Sequence, residues 1–138
     1  MIRETCVLTR VPPRLPPELE AIVTATIGCA IRVHKTLGPG FKEAIYHDAM
    51  RIELTRSNIS WRSDVAIDVL YEGEPCRRQY LDLVVDDIIV VEIKSVERLH
   101  PLHGSQILSY MKSARLPVGL LMNFNSTWLR GQIRRFVL

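Results

Sequence analysis

Apolar residues recur at helical intervals through the first third of the chain. Leu19, Ile22, Val23, Ile27, Ala30, Val33 and Leu37 form one stripe that only Thr26 softens. PPELE, with prolines and acids ahead of that stripe, reads as a helix start. LGPG, with Gly38 and Gly40 around a proline, reads as its stop. A second helix is expected from about Phe41 to Arg56, with Ala44, Ile45, Ala49, Met50 and Ile52 turned inward. The period then falls to two, so strands are expected at about 62–71, 77–85 and 89–95, joined by turns at YEGEP and at Asp86-Asp87. A third helix fits His103 to Ala114, PVGLLMNF reads as a short buried strand, and QIRRFVL as a final edge strand. Residues 1–15, rich in proline, are expected to form an irregular arm, and residues 16–138 a single domain. The order α-α-β-β-β-α-β-β describes an α/β domain, a mixed central β-sheet flanked by helices.

One segment breaks the strand pattern. In DLVVDDIIVVEIK, residues 82–94, Glu92 and Lys94 interrupt an otherwise aliphatic strand. A buried strand rarely carries a carboxylate and an ammonium unless both have partners. Alternation puts both on one face, opposite Ile89, Val91 and Ile93. On the preceding strand Leu81, Leu83 and Val85 match that core, while Tyr80, Asp82 and Val84 point the other way. A two-residue turn would pair Leu81 with Glu92 and mix the faces, whereas a connection through Asp86, Asp87 and Ile88 pairs Asp82 with Glu92. The longer turn is therefore expected, with Asp82, Glu92 and Lys94 converging on one face and Asp86 and Asp87 serving the turn.

Two carboxylates held close together repel, which raises one pKa unless a cation sits between them. Hard oxygen ligands suit Mg²⁺ or Mn²⁺, and a neighbouring lysine can orient water or offset charge on a phosphate. On spacing alone, a Glu–Lys ion pair on a solvated sheet face is an equally good account of the same residues.

Composition narrows the setting. A hydrophobic fraction of 47% and a charged fraction of 24% describe an ordinary globular protein. The longest apolar runs fall short of the roughly 20 residues needed to cross a bilayer. Charges and prolines in MIRETCVLTRVPPRLPP argue against a signal peptide. No membrane role is expected. Cys6, Cys29 and Cys76 are odd in number and far apart, which implies reduced thiols and a cytoplasmic location. The formal charge of +3 permits a polyanionic partner without demanding one. Arg77 and Arg78, and then Arg130, Arg134 and Arg135, are grouped, the ordinary reading being a solvated basic surface. Without a P-loop or a G-x-G-x-x-G, a small-nucleotide enzyme has little support.

The order of these segments resembles the PD-(D/E)xK nuclease superfamily, whose core is a helix, a three-stranded meander, a helix and another strand. In that superfamily the aspartate opens the second core strand and E-x-K lies on the third, which here are Asp82, Glu92 and Lys94. Leu81 stands where the family name has proline, a variable position. The chain is also similar to the small family called GxxExxY proteins. GFKEAIY supplies Gly40, Glu43 and Tyr46, and AIRVHKTLGPG, HGSQILSYMKSA and PVGLLMNF follow that family's order over about residues 18–136.

The resemblance implies a restriction-endonuclease-like core and a Mg²⁺- or Mn²⁺-dependent nuclease, acting on DNA more readily than RNA. It implies that Asp82 and Glu92 bind the metal with help from Glu43 and the carbonyl of Ile93, that Lys94 poises the attacking water, and that Gln106 orients Lys94, water or phosphate. Tyr110 shares Gln106's helix face and is a candidate contact to nucleic acid. His103 is a candidate contact to phosphate, and Arg77, Arg78 and Lys112 are candidates for the nucleic-acid backbone. A compact domain offers little surface for a long duplex, so a homodimer or a protein partner is expected. The contrasting expectation is a catalytically inactive module of the same fold that binds nucleic acid or a protein.

Overall fold

The computed structural model describes residues 3–6 and 15–138. The elements run β1 (Arg3–Cys6), α1 (Pro17–Leu37), α2 (Glu43–Arg56), β2 (Trp61–Tyr71), β3 (Glu74–Val85), β4 (Ile89–Lys94), α3 (Pro101–Ala114), β5 (Val118–Asn123), a 3₁₀ turn (Leu129–Gln132) and β6 (Ile133–Val137). The six strands form one mixed sheet in the order β1-β6-β5-β4-β3-β2, with β4 and β5 parallel and the other pairs antiparallel. No helix among the described residues is long and apolar enough to cross a membrane.

Alternation along the inner strands feeds two cores. Leu83, Val85, Ile89, Val91, Ile93, Val118, Leu120 and Met122 pack against α1 and α2, while Val84, Val90 and Leu121 pack against Ile107 and Met111 of α3. Three layers result, with the sheet in the middle. Gly119 makes the α3 side tight: a Cβ there would meet Met111 Sδ at 2.5 Å and Ile107 Cδ1 at 3.1 Å. Two acids at the start of α1 complement its dipole, and one of them, Glu20, is held by Arg135 of β6 at 2.9 Å.

The expected α/β class and helix positions hold, and four expectations change. The expected irregular arm contains β1, which pairs with β6, so QIRRFVL is an inner strand rather than the sheet edge; the arm's residues 1, 2 and 7–14 lie outside the described residues. β3 begins at Glu74, not 77, because Glu72 and Gly73 alone make the turn with positive φ. Leu81 joins Val84 on the α3 side instead of sharing a core with Leu83 and Val85.

The rotation of α2 also differs. Tyr46, Met50 and Leu54 are its buried residues, whereas Ile45 and Ile52 are exposed and Ala44 lies on the surface. The cause lies in Tyr46. Its hydroxyl donates to the Gly38 carbonyl at 2.5 Å and accepts from the Phe41 N–H at 3.2 Å. Its ring meets Phe124 at 4.7 Å between centroids. These contacts clamp the Gly38–Gly40 turn, where Gly40 has φ 105°, against the start of α2. Tyr46→Phe is therefore expected to destabilise the fold by about 1–3 kcal/mol in urea denaturation, since two partly buried backbone groups lose their partner.

Candidate functional site

The β3–β4 hairpin carries the acids. Its register pairs Leu83 with Val91, Val84 with Val90 and Val85 with Ile89, which leaves Asp86, Asp87 and Ile88 as the connection. Both aspartates have φ 52°, a conformation this residue type tolerates. Their side chains serve the turn region: Asp86 accepts from Ser60 at 3.2 Å and Asp87 pairs with Arg62 at 2.8 Å.

Pairing of β3 with β4 ends at Leu83↔Val91, and beyond it side chains bridge the parting strands. The Ile93 N–H donates to Asp82 Oδ2 at 3.2 Å, and the Asp82 N–H reaches Glu92 Oε1 at 3.5 Å. Glu92 is only 4% exposed. Burial, and then the charge of Asp82, push its pKa up to about 8, against a partial pull downward from Lys94. At neutral pH Glu92 therefore keeps its proton.

Two helices wall this fork. On the α3 side, His103, Gln106 and Tyr110 fall three and four residues apart, one face of the helix. Burial raises the Tyr110 pKa, with a further push from Glu92, so its hydroxyl stands within the field of the acidic pair. Gln106 Nε2 donates to Tyr110 Oη at 2.9 Å, which joins the two side chains on that face. His103 closes a capping box: His100 Nδ1 accepts the Leu102 N–H, and His103 Nδ1 accepts the His100 N–H. Burial and then Lys94 lower the His103 pKa, while Glu43 pulls it upward.

On the α2 side lies a cavity of about 310 Å³ lined by Glu43, His47, Arg51, Asp64, Asp82 and Ile93, among others. Glu43 is the first residue of α2 and exposed, so it stands on the rim. Ser95 Oγ, just past Lys94, donates to the Phe41 carbonyl at 2.5 Å and ties the end of β4 to the loop before Glu43. Glu92 and Lys94 alternate with Val90 toward α3, Glu43 comes from the α2 side, and Asp82 occupies the gap between the parting strands.

Other expected residues lie farther out. Arg77 and Arg78 are on the exposed half of β3, and Arg78 pairs with Asp68 at 3.1 Å. Arg78 is four residues before Asp82, about 13 Å along a strand. Lys112 is exposed in the last turn of α3. Arg135 is buried on Glu20 and belongs to the core rather than to a basic surface.

Four cavity residues went unread in the sequence, among them Asp48, which pairs with Arg51. His47 follows Glu43 by four positions, a helical spacing that could have revealed it. Arg51 continues the same face and sits over the Trp61 ring at 6.0 Å. Asp64 has φ 50° in the middle of β2, and no residue pattern foretold that. Among the described residues, no three His, Cys, Asp or Glu side chains form a ready metal cage.

A family model described as the PD-(D/E)XK nuclease superfamily matches residues 20–136. No curated protein and no solved structure matches the chain.

Glu92 gives a pH signature. An unfolded chain ionises this carboxyl near 4.5, whereas the folded chain holds the proton to about 8. The stabilisation is complete below pH 4.5 and disappears as pH rises through 8. In metal-free buffer, urea unfolding of the wild type should lose up to about 1.4 kcal/mol per pH unit across that window relative to Glu92→Gln.

Proposed function

Because the chain belongs to the PD-(D/E)XK nuclease superfamily, we propose that it hydrolyses phosphodiester bonds in nucleic acid with a divalent cation, DNA more readily than RNA. The observation that carries this reading is the carboxyl pair at the strand fork, where Asp82 accepts the Ile93 N–H and the Asp82 N–H reaches the buried Glu92 carboxyl. The donor set fits a hard divalent ion such as Mg²⁺ or Mn²⁺, which would offset the repulsion that the proton now offsets. Nucleases of this superfamily typically use divalent metals. In this reading Asp82 and Glu92 hold the ion, with Glu43 and the carbonyl of Ile93 completing the set. When bound, the ion supplies a lowered pKa for water and positive charge facing the phosphate.

The chain's own residues supply the rest. Lys94, beside Glu92 and half-buried at the end of β4, orients the attacking water and offsets charge growing on the phosphate. Gln106 and Tyr110 act as a hydrogen-bonded unit that presents a polar edge to the substrate. His103, its Nδ1 occupied by the His100 N–H, offers Nε2–H to a phosphate oxygen. Arg77 and Lys112 extend the backbone contacts, and Arg78 joins them on release from Asp68. The similarity to GxxExxY proteins belongs to the same reading, and the Tyr46 clamp on the turn before Glu43 gives that motif a physical reason.

The reading includes a cytoplasmic setting, supported by free thiols at Cys29 and Cys76. It also includes a second copy or a protein partner, which a domain of 138 residues would use to grip a long duplex. A second reading, an inactive nucleic-acid- or protein-binding module, is favoured by one observation: the lack of a ready three-residue metal cage among the described residues.

Cleavage of single- and double-stranded DNA and RNA with Mg²⁺ or Mn²⁺ separates the two. Lys94→Ala should lower kcat at least about 100-fold while calorimetric Mn²⁺ affinity changes little. Asp82→Asn should abolish Mn²⁺ binding itself. Equal background cleavage by the wild type and both variants would leave the binding module as the better reading.

A further inference from the structure

The sheet leaves Asp82 without its regular neighbours. Pairing with β2 passes from Ser63↔Leu83 to Val65↔Leu81 and skips the step between them, where Asp64 takes φ 50°. Pairing with β4 has already ended at Leu83↔Val91. Backbone polar groups in such a place need other partners. Three side-chain contacts meet the need. Glu92 accepts the Asp82 N–H, and the Asp82 carboxylate accepts the Ile93 N–H. The Asp82 carbonyl lies 2.8 Å from His47 Nε2. A carbonyl can only accept, so Nε2 carries the proton and donates it.

The histidine contact is the shortest of the three, and it alone comes from another layer of the fold. α2 is a firm base for it, because Tyr46, Met50 and Leu54 bury the helix and the Tyr46 hydroxyl fixes its approach. His47 also lines the cavity with Glu43 and Asp82, and stands one turn beyond Glu43 on the same face of α2.

We propose that His47 is a positioning residue: it pins the β3 backbone to α2 through the Asp82 carbonyl, and thereby holds the Asp82 carboxylate at the fork beside Glu92 and in line with Glu43. It acts through Asp82 and touches no reacting atom. Its consequence for the metal rests on the nuclease reading, whereas the pinning of the backbone does not.

The test compares His47→Phe, which fills the space without a donor, with His47→Gln, which restores an N–H at similar reach. Mn²⁺ affinity is read by calorimetry, and protection of the Ile93 amide by hydrogen exchange against the Val90 amide of the same strand. The proposal expects Mn²⁺ binding at least about 10-fold weaker in His47→Phe and within about threefold of wild type in His47→Gln. It also expects selective loss of Ile93 protection in His47→Phe alone. Unchanged Mn²⁺ affinity in His47→Phe, with a wild type that binds, overturns the proposal and leaves the nuclease reading standing. If the wild type binds no Mn²⁺, the nuclease reading fails and the exchange data decide: selective loss at Ile93 in His47→Phe supports the pin, and equal protection overturns it.

Discussion

The site depends on one conflict, the burial of two carboxyl groups where β3 and β4 stop pairing. Water would relieve their repulsion, but Glu92 is almost wholly covered. A lysine salt bridge would relieve it too, yet Lys94 offsets it only in part. The proton that Glu92 retains is what remains. A sheet that paired fully through this point would have put backbone hydrogen bonds where the acids now sit. The interruption of the ladder is thus the structural condition for the acidic pair.

Each layer contributes one kind of control. The inner strands provide rigidity, through aliphatic side chains on both faces up to the residue where pairing ends. α2 brings a rim acid and a donor to the Asp82 backbone, while α3 brings a hydrogen-bonded Gln–Tyr pair and a histidine of fixed tautomer. Because α2 and α3 lie on opposite faces, neither could reach the acids across an intact sheet. The gap lets groups from both sides meet at one point.

The sequence was most legible where short-range rules govern. Binary alternation was enough to choose the three-residue connection at Asp86–Ile88, since the alternative would have mixed the faces of both strands. Helix positions followed from apolar spacing and from glycine and proline. Legibility failed where a distant contact decides. The rotation of α2 follows from a tyrosine hydroxyl meeting the Gly38 carbonyl and from a ring on Phe124, more than seventy positions away, so counting aliphatics placed Ala49 and Met50 inward but misplaced Ala44, Ile45 and Ile52. The same holds for β1, whose existence depends on the open edge of β6 at the other end of the chain. Asp64 is the hardest case: a left-handed residue inside a strand, with nothing in its neighbours to announce it. Among the candidate residues, Asp82, Glu92 and Lys94 could be read because charge is conspicuous on an aliphatic strand. His47 was signalled only by its helical spacing from Glu43, and its contact with the Asp82 carbonyl is one that no sequence pattern displays.

Gly119 bears on all this from beneath α3. With hydrogen in place of a methyl group, β5 lets Ile107 and Met111 settle directly on the backbone, and that seat sets the height of the whole helix above the sheet. His103, Gln106 and Tyr110 ride on the same rigid rod. A core position outside the cavity thus bears on the helix that carries His103, Gln106 and Tyr110, and a side chain there would force Met111 and Ile107 to give way.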